Sequence, residues 1–149
     1  MHDLGQNEDR LRGTYGFPFE FHHIDSSHPR YIMSYHWHVE YEIMRVLEGT
    51  LTVTLDEKSF TAKAGDIIFV HSGILHSGIP EKCVYECLVF DMNAFLKTGS
   101  VCSEYIQRIV HQDIMIYHHF TAAQKEIIQA ANTIFQAFQK KKEGYELTV

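Results

Sequence analysis

The chain predicts a mainly β fold, a barrel or double-sheet jelly roll closed by a carboxyl-terminal helical segment, on three observations. Short β-rich runs recur from Phe17 to Phe90, divided by turn residues and without a helical period between them. Phe17, Phe19 and Phe21 alternate with Pro18, Glu20 and His22, the pattern of a strand with one buried face. After Thr121 the apolar spacing becomes that of an amphipathic helix.

In chain order, Met1–Gly13 is polar, lacks periodicity and reads as a flexible arm over residues 1–13. A β-barrel is expected over 14–93. Its runs are Tyr31–His36, Tyr41–Leu47, Leu51–Leu55, Ser59–Lys63, Ile67–Val70, His76–Ile79 and Val84–Phe90. Glu48-Gly49 and Pro80-Glu81-Lys82 are among the turns between them. Residues 94–149 form a helical connection that begins around Asn93–Lys97. Ser103–Val110 has helical spacing, His111-Gln112-Asp113 breaks it, and Ile114–Tyr117 reads as a strand returning to the barrel. Thr121 and Gln124 form a capping-box pattern that opens the last helix, with Lys140–Lys142 at its carboxyl end and Gly144 as its stop. Tyr145–Val149 looks like the start of a further element, cut short.

Composition narrows the function classes. A chain of 149 residues with 45% apolar and 13% aromatic residues builds one packed domain. Its net charge of −6 makes it a poor nucleic-acid binder by itself, because gripping phosphates needs a positive surface. Three cysteines, Cys83, Cys87 and Cys102, match no zinc spacing, and reduced thiols are expected. The polar start is no signal peptide and no run reaches the ~18 apolar residues of a membrane span, so a cytoplasmic protein without membrane contact is expected.

The candidate site lies between residues 36 and 76. His36 and His38 are two apart, so on an extended chain they point the same way. Glu42 shares their parity unless a bend falls between Val39 and Tyr41. His76 returns after the Gly65-Asp66 turn and the apolar run Ile67–Val70. Imidazole and carboxylate together suit a divalent first-row metal, so His36, His38, Glu42 and His76 form a candidate zinc, nickel, iron or manganese site. The alternative is a polar interior in which the same four groups bind one another, water or an organic effector. By parity Met44 and Val46 join the four as pocket walls, while Arg45 points out. Trp37 and Phe69 read as packing residues, and His22-His23 and His118-His119 lack ligand spacing.

His36 to Gly49 reads His-x-His-x3-Glu-x6-Gly, and Gly65 to His76 reads Gly-x5-His-x-Gly-x2-His. The two resemble the paired motifs of the cupin superfamily, whose fold is a double-stranded β-helix, a jelly-roll barrel. His71 stands where cupins usually have proline, and Pro80 where many cupin enzymes have asparagine. Val46-Leu47-Glu48-Gly49 and Gly65-Asp66-Ile67-Ile68, with His36–His38 and Glu42-Ile43, resemble the effector-binding and dimerisation domain of AraC-type transcriptional regulators.

That resemblance implies a domain that senses a sugar or small organic acid. It also implies a homodimer through carboxyl-terminal helices, and DNA contact only through a helix-turn-helix half absent from this chain. Ile127, Ala131, Ile134, Phe135 and Phe138 are the candidate dimer face, the alternative being a cover for the barrel. No catalytic residue is assigned. The competing function is a stand-alone metal-dependent cupin enzyme, an oxygenase or isomerase, using the three histidines and Glu42.

Overall fold

The computed structural model describes residues 4–96 and 100–149. Met1–Asp3 of the expected arm and Lys97 of the expected connection lie outside the described residues. Seven strands and two helices follow in order: β1 Phe19–Ile24, β2 Met33–His36, β3 Tyr41–Leu55, β4 Lys58–Lys63, β5 Ile67–Val70, β6 His76–Phe90, α1 Val101–Val110, β7 His119–Phe120 and α2 Lys125–Lys140.

The two longest strands organise the rest. β3 and β6 pair antiparallel along their whole length, from Tyr41 opposite Phe90 to Leu55 opposite His76. At one end of this ribbon β1 adds to β6, and β5 then β7 add to β3. At the other end β2 adds to β6 and β4 adds to β3. One ribbon thus runs through both sheets of a jelly roll, and the fold is a cupin barrel.

Glu48-Gly49 and Pro80-Glu81-Lys82, expected as turns between separate strands, are irregularities inside β3 and β6. The register shifts at Glu48 and again before Thr50. Gly49 has φ +67°, and a Cβ there would lie 2.2 Å from the carbonyl oxygen of Lys82, so only glycine fits. The extra residue reverses the parity of the strand. Before the bulge Met44 and Val46 face the barrel interior, and after it Leu51, Val53 and Leu55 do. β6 changes in the same way, with His76 buried before the irregularity and Cys83, Tyr85 and Cys87 in the interior core after it.

A second core lies on the outer face of the first sheet. Tyr41, Phe69, Leu88 and Phe90 of the sheet pack there with Ala131, Phe135 and Phe138 of α2. Phe138 contacts three aromatic rings of the chain's beginning, with centroids 5.9 Å from Phe17, 6.1 Å from Phe19 and 5.8 Å from Phe21. Of the stripe expected as a dimer face or as a cover for the barrel, Phe135 and Phe138 serve as the cover. Phe135 and Phe138 are 1% and 3% exposed within a single chain, because the apolar face of the sheet needs a cover and α2 supplies it. Ala131 is buried with them, Ile134 packs partly against the same cluster, and Ile127 stays exposed.

Other boundaries also move. α2 starts at Lys125 rather than Thr121. Gln124 Oε1 still accepts the Thr121 backbone N–H at 2.9 Å, one half of the capping box, while the Thr121 hydroxyl accepts the Ala123 N–H at 3.4 Å. The helix stops at Lys140, with Lys141 in the left-handed region, and Gly144 instead precedes a short 3-10 turn at Tyr145–Leu147. The returning strand is His119–Phe120, not Ile114–Tyr117. Ile116 N–H donates to His71 Nε2 at 2.9 Å, so its backbone is engaged by a side chain instead of a ladder.

The described part of the arm lies against the barrel. Trp37 N–H donates to the Gln6 carbonyl and Glu8 N–H to the Trp37 carbonyl. Arg12 is buried and paired with Glu8 and Glu20. No helix among the described residues is long and apolar enough to cross a membrane.

Because Phe138 fills a core rather than a subunit seam, Phe138→Ala is expected to lower unfolding free energy by about 3–5 kcal/mol, the cost of emptying a buried aromatic site. Urea unfolding measures it. A folded chain of unchanged stability and altered association state would contradict the single-chain assignment.

Candidate metal centre

His36 ends β2, and its partner across the ladder is His76, the first residue of β6. His38 follows two residues after the strand, just before the bend at Val39 and Glu40, and Glu42 is the second residue of β3. The chain turns between Val39 and Tyr41, so the four groups meet by a corner and not by one continuous strand. Their ligand atoms all lie within 4.8 Å of one another. His38, Glu42 and His76 are 1%, 3% and 0% exposed, which takes these polar groups out of water and requires partners for them.

Backbone carbonyls supply half of those partners. The Nδ1 atoms of His36, His38 and His76 sit 2.9, 3.0 and 2.8 Å from the carbonyl oxygens of Ser34, Glu40 and Ile74. A carbonyl only accepts, so each Nδ1 carries a proton and donates it. This fixes each tautomer and leaves Nε2 as the free ring nitrogen, the arrangement that orients histidines as metal ligands. His76 Nε2 lies 3.1 Å from Glu42 Oε2, and His38 Nε2 lies 3.4 Å from the same oxygen.

Electrostatics follow from that geometry. Burial alone would raise the Glu42 carboxyl, but the hydrogen bonds from His38 and His76 outweigh it and hold the group well below the usual range. Burial likewise opposes charge on His76, yet the hydrogen bond to Glu42 and its charge win and raise the imidazole. His36 is pushed down by burial, with His76 adding to the effect. An ionised Glu42 facing Nε2 thus needs a cation on that nitrogen, either a proton or a metal ion. The donor set of three imidazoles and one carboxylate fits a divalent first-row metal.

The site opens into a cavity of about 180 Å³ lined by Glu42, His36 and His38 together with residues that sequence reasoning passed over. These are His22 of β1, Cys87 of β6, Arg10 and Arg12 of the amino-terminal segment, and Arg30 of the β1–β2 loop. His22 had a usable signal, since on β1 it alternates with Phe21 and therefore faces the interior. Burial and the neighbouring Glu42 push the Cys87 thiol well above its usual value, so it is a thiol and not a thiolate. Met44 and Val46 face inward as parity requires, but they are 0% and 1% exposed in the interior core and do not line the cavity. Packing is the reason, because both belong to the interior cluster with Leu51, Val53 and Tyr85. Trp37 is half-buried, its backbone bridging Asn7.

A jelly-roll barrel with this constellation at its mouth defines a cupin with a complete set of candidate metal ligands. A family model for the AraC-like ligand binding domain matches residues 18–147, and the chain belongs to that family. The chain is similar to the uncharacterized HTH-type transcriptional regulator YdeC of Bacillus subtilis (strain 168), with 28% identity over 120 residues. The match covers 76% of this chain and 41% of the relative, so the chain spans less than half the length of that regulator. Among solved structures, it is similar to a mutant of oxalate decarboxylase OxdC from Bacillus subtilis (27% identity, TM-score 0.35, 40% of this chain and 18% of that one). An RmlC-like cupin from Shewanella frigidimarina also matches (22% identity, TM-score 0.38, 40% and 54% of the two chains).

The tautomers are directly testable. Long-range ¹H–¹⁵N spectra of the metal-free protein should show protons on Nδ1 of His36, His38 and His76. A neutral ring protonated at Nε2 in any of the three would contradict the ligand geometry.

Proposed function

We propose that this domain holds a divalent metal ion, zinc, nickel, iron or manganese, on His36, His38, Glu42 and His76. We further propose that it senses a small molecule in the adjoining cavity on behalf of a cytoplasmic transcriptional regulator. The observation that carries the reading is the set of three backbone-anchored Nδ1 atoms, which turns three Nε2 atoms and one buried carboxylate toward a single point. Membership of the AraC-like ligand-binding family and the likeness to a longer HTH-type regulator support sensing as the role. DNA contact would belong to a part of the regulator other than this acidic domain.

An occupant of the cavity has two routes to the outside. The amino-terminal segment lies over it through Arg10 and Arg12, and a buried network leads through the sheet to α2. Glu86, fully buried on β6 beside Cys87, accepts Arg45 Nε and Nη2 at 3.1 and 2.6 Å and pairs with His23 Nδ1 at 3.0 Å. Gln139 of α2 donates to the same carboxylate, and Arg45 Nη1 donates to Asn132 of α2 at 3.0 Å. His22 and Cys87, on the cavity wall, are the chain neighbours of His23 and Glu86, so a shift at the wall moves the residues that hold α2. Binding without turnover is the proposed outcome. The second reading, a metal-dependent cupin enzyme, is favoured by the complete ligand set, which a purely organic binding pocket does not require.

Elemental analysis of protein purified without chelators should find close to one metal ion per chain, and a His36→Ala/His38→Ala double variant should lose it. Equal metal in both preparations would refute the site.

Metal uptake should also release protons. The hydrogen bond to Glu42 raises His76, so it holds its proton to higher pH than an ordinary histidine, and metal must displace that proton. Glu42 is already ionised and contributes none. Calorimetry at pH 7 in two buffers of different ionisation enthalpy should therefore report net proton release, and affinity should rise with pH. Uptake without proton release would contradict the Glu42–His76 pairing.

A further inference from the structure

We infer that a second small-molecule site lies at the seam between β4 and β7, and that it takes a planar aromatic compound bearing an N–H or O–H donor, of the phenol or indole kind. The site is a cleft of about 890 Å³ that shares no lining residue with the metal cavity, so it stands apart from the metal reading. Topology opens it. β4 pairs with β3 and β7 with β5, and no ladder joins β4 to β7 among the described residues. The Phe60 ring of β4 bridges the gap instead, lying on the His119 ring with 4.8 Å between centroids and 20° between planes.

The lining sets the shape of the ligand. Leu55 and Ile74 bring the edge of the interior core to the cleft. Met115 and Tyr117, which also line it, are 54% and 83% exposed, while Ile116 between them packs on the outer core. Large apolar groups left in water beside an apolar cleft gain by being covered. A flat ring covers them best, because it extends the Phe60–His119 stack and adds aromatic and thioether contacts with Tyr117 and Met115. The volume falls within the roughly 300–1,000 Å³ of small-molecule sites. One wall is also fixed beforehand. Asp56 N–H donates to the Leu75 carbonyl at 2.7 Å, and Leu75 N–H donates to Asp56 Oδ1 at 3.2 Å.

Two histidines set the hydrogen-bond sense. His118 Nδ1 donates to the Phe69 carbonyl at 2.8 Å, and His119 Nε2 donates to Asp66 at 2.8 Å. The proton of each neutral ring is thereby committed, which leaves His118 Nε2 and His119 Nδ1 as acceptors. Neither atom has a hydrogen-bond partner among the described residues, and both side chains line the cleft half-buried. An occupant that meets them must donate. The rim argues against an anion, since Asp56 and Glu57 stand with one cation, Lys58, and no arginine lines the cleft.

Titration of ¹⁵N-labelled protein with indole, at a measured and constant metal content, tests the site without relying on the metal. Saturable amide shifts are expected at Glu57, Leu75, Tyr117 and His119, and not at His22 or Cys87. N-methylindole, which lacks the donor, should bind about fivefold more weakly, the scale of one lost hydrogen bond. Met115→Ser/Tyr117→Ser, which changes only exposed residues, should stay folded and lose indole affinity by about the same factor. No saturable shift, shifts confined to other residues, N-methylindole as tight as indole, or unchanged binding in the double variant would each overturn the inference. Sedimentation of the same variant addresses the rival occupant, a second copy of the chain. A native dimer that becomes a monomer on this substitution would make the cleft a subunit seam and overturn the ligand site.

Discussion

One extra residue in each strand of the β3–β6 ribbon sets what faces the barrel interior. Side chains on a strand alternate, so without a bulge the choice of inward Glu42, Met44 and Val46 would turn Leu51, Val53 and Leu55 out to solvent. The register shift around Gly49 reverses parity at the bend, and the matching shift near Lys82 does the same for β6. Both sheets then present their apolar faces to a common interior. Glu42, in the first half of β3, and His76, at the far end of β6, reach one point because of that reversal. Gly49 is required there by its positive φ and by the approach of the Lys82 carbonyl, which leaves no room for a Cβ.

Much of this was legible in the residues. The paired histidines, Glu42 and His76 announced a site through spacing and donor chemistry, and the structure brings the same four together. The strand runs were legible too, but Glu48-Gly49 and Pro80-Glu81-Lys82 look like turns because a bulge and a turn use the same residue types. Only pairing across the ribbon separates them. Met44 and Val46 show the limit of parity, which gives a side of the sheet but not whether a cavity or another side chain lies opposite. The stripe on α2 shows the limit of amphipathicity. Phe135 and Phe138 had to be buried, and nothing in a helical period says whether the chain's own sheet or a second subunit buries them. Arg12 was invisible, since a polar arm gives no sign that one guanidinium will be enclosed among Glu8, Glu20 and Glu40.

The two faces of the first sheet carry different chemistry back to back. Inward lie Glu42, His22 and Cys87 at the cavity. Outward lie Arg45, His23 and Glu86, which hold α2 through Asn132 and Gln139, with the Arg45 guanidinium 4.8 Å above the Phe135 ring. A buried ion pair of this kind gains little net stability against an apolar substitute, because desolvation offsets most of the attraction. Its directional bonds instead fix where α2 sits on the sheet. The amino-terminal segment is held in a comparable way. Burial opposes the ionised form of Glu8, but Arg12 and Arg30 outweigh it and lower its carboxyl to about 2.

The central claim is that three histidine Nε2 atoms and Glu42 hold one metal ion. X-ray absorption at the metal edge of the purified, metal-loaded protein tests it most directly. The account predicts a first shell of nitrogen and oxygen at about 2.0–2.2 Å with the outer-shell signature of three imidazoles. A sulfur scatterer from Cys87, or fewer than three imidazoles, would contradict it.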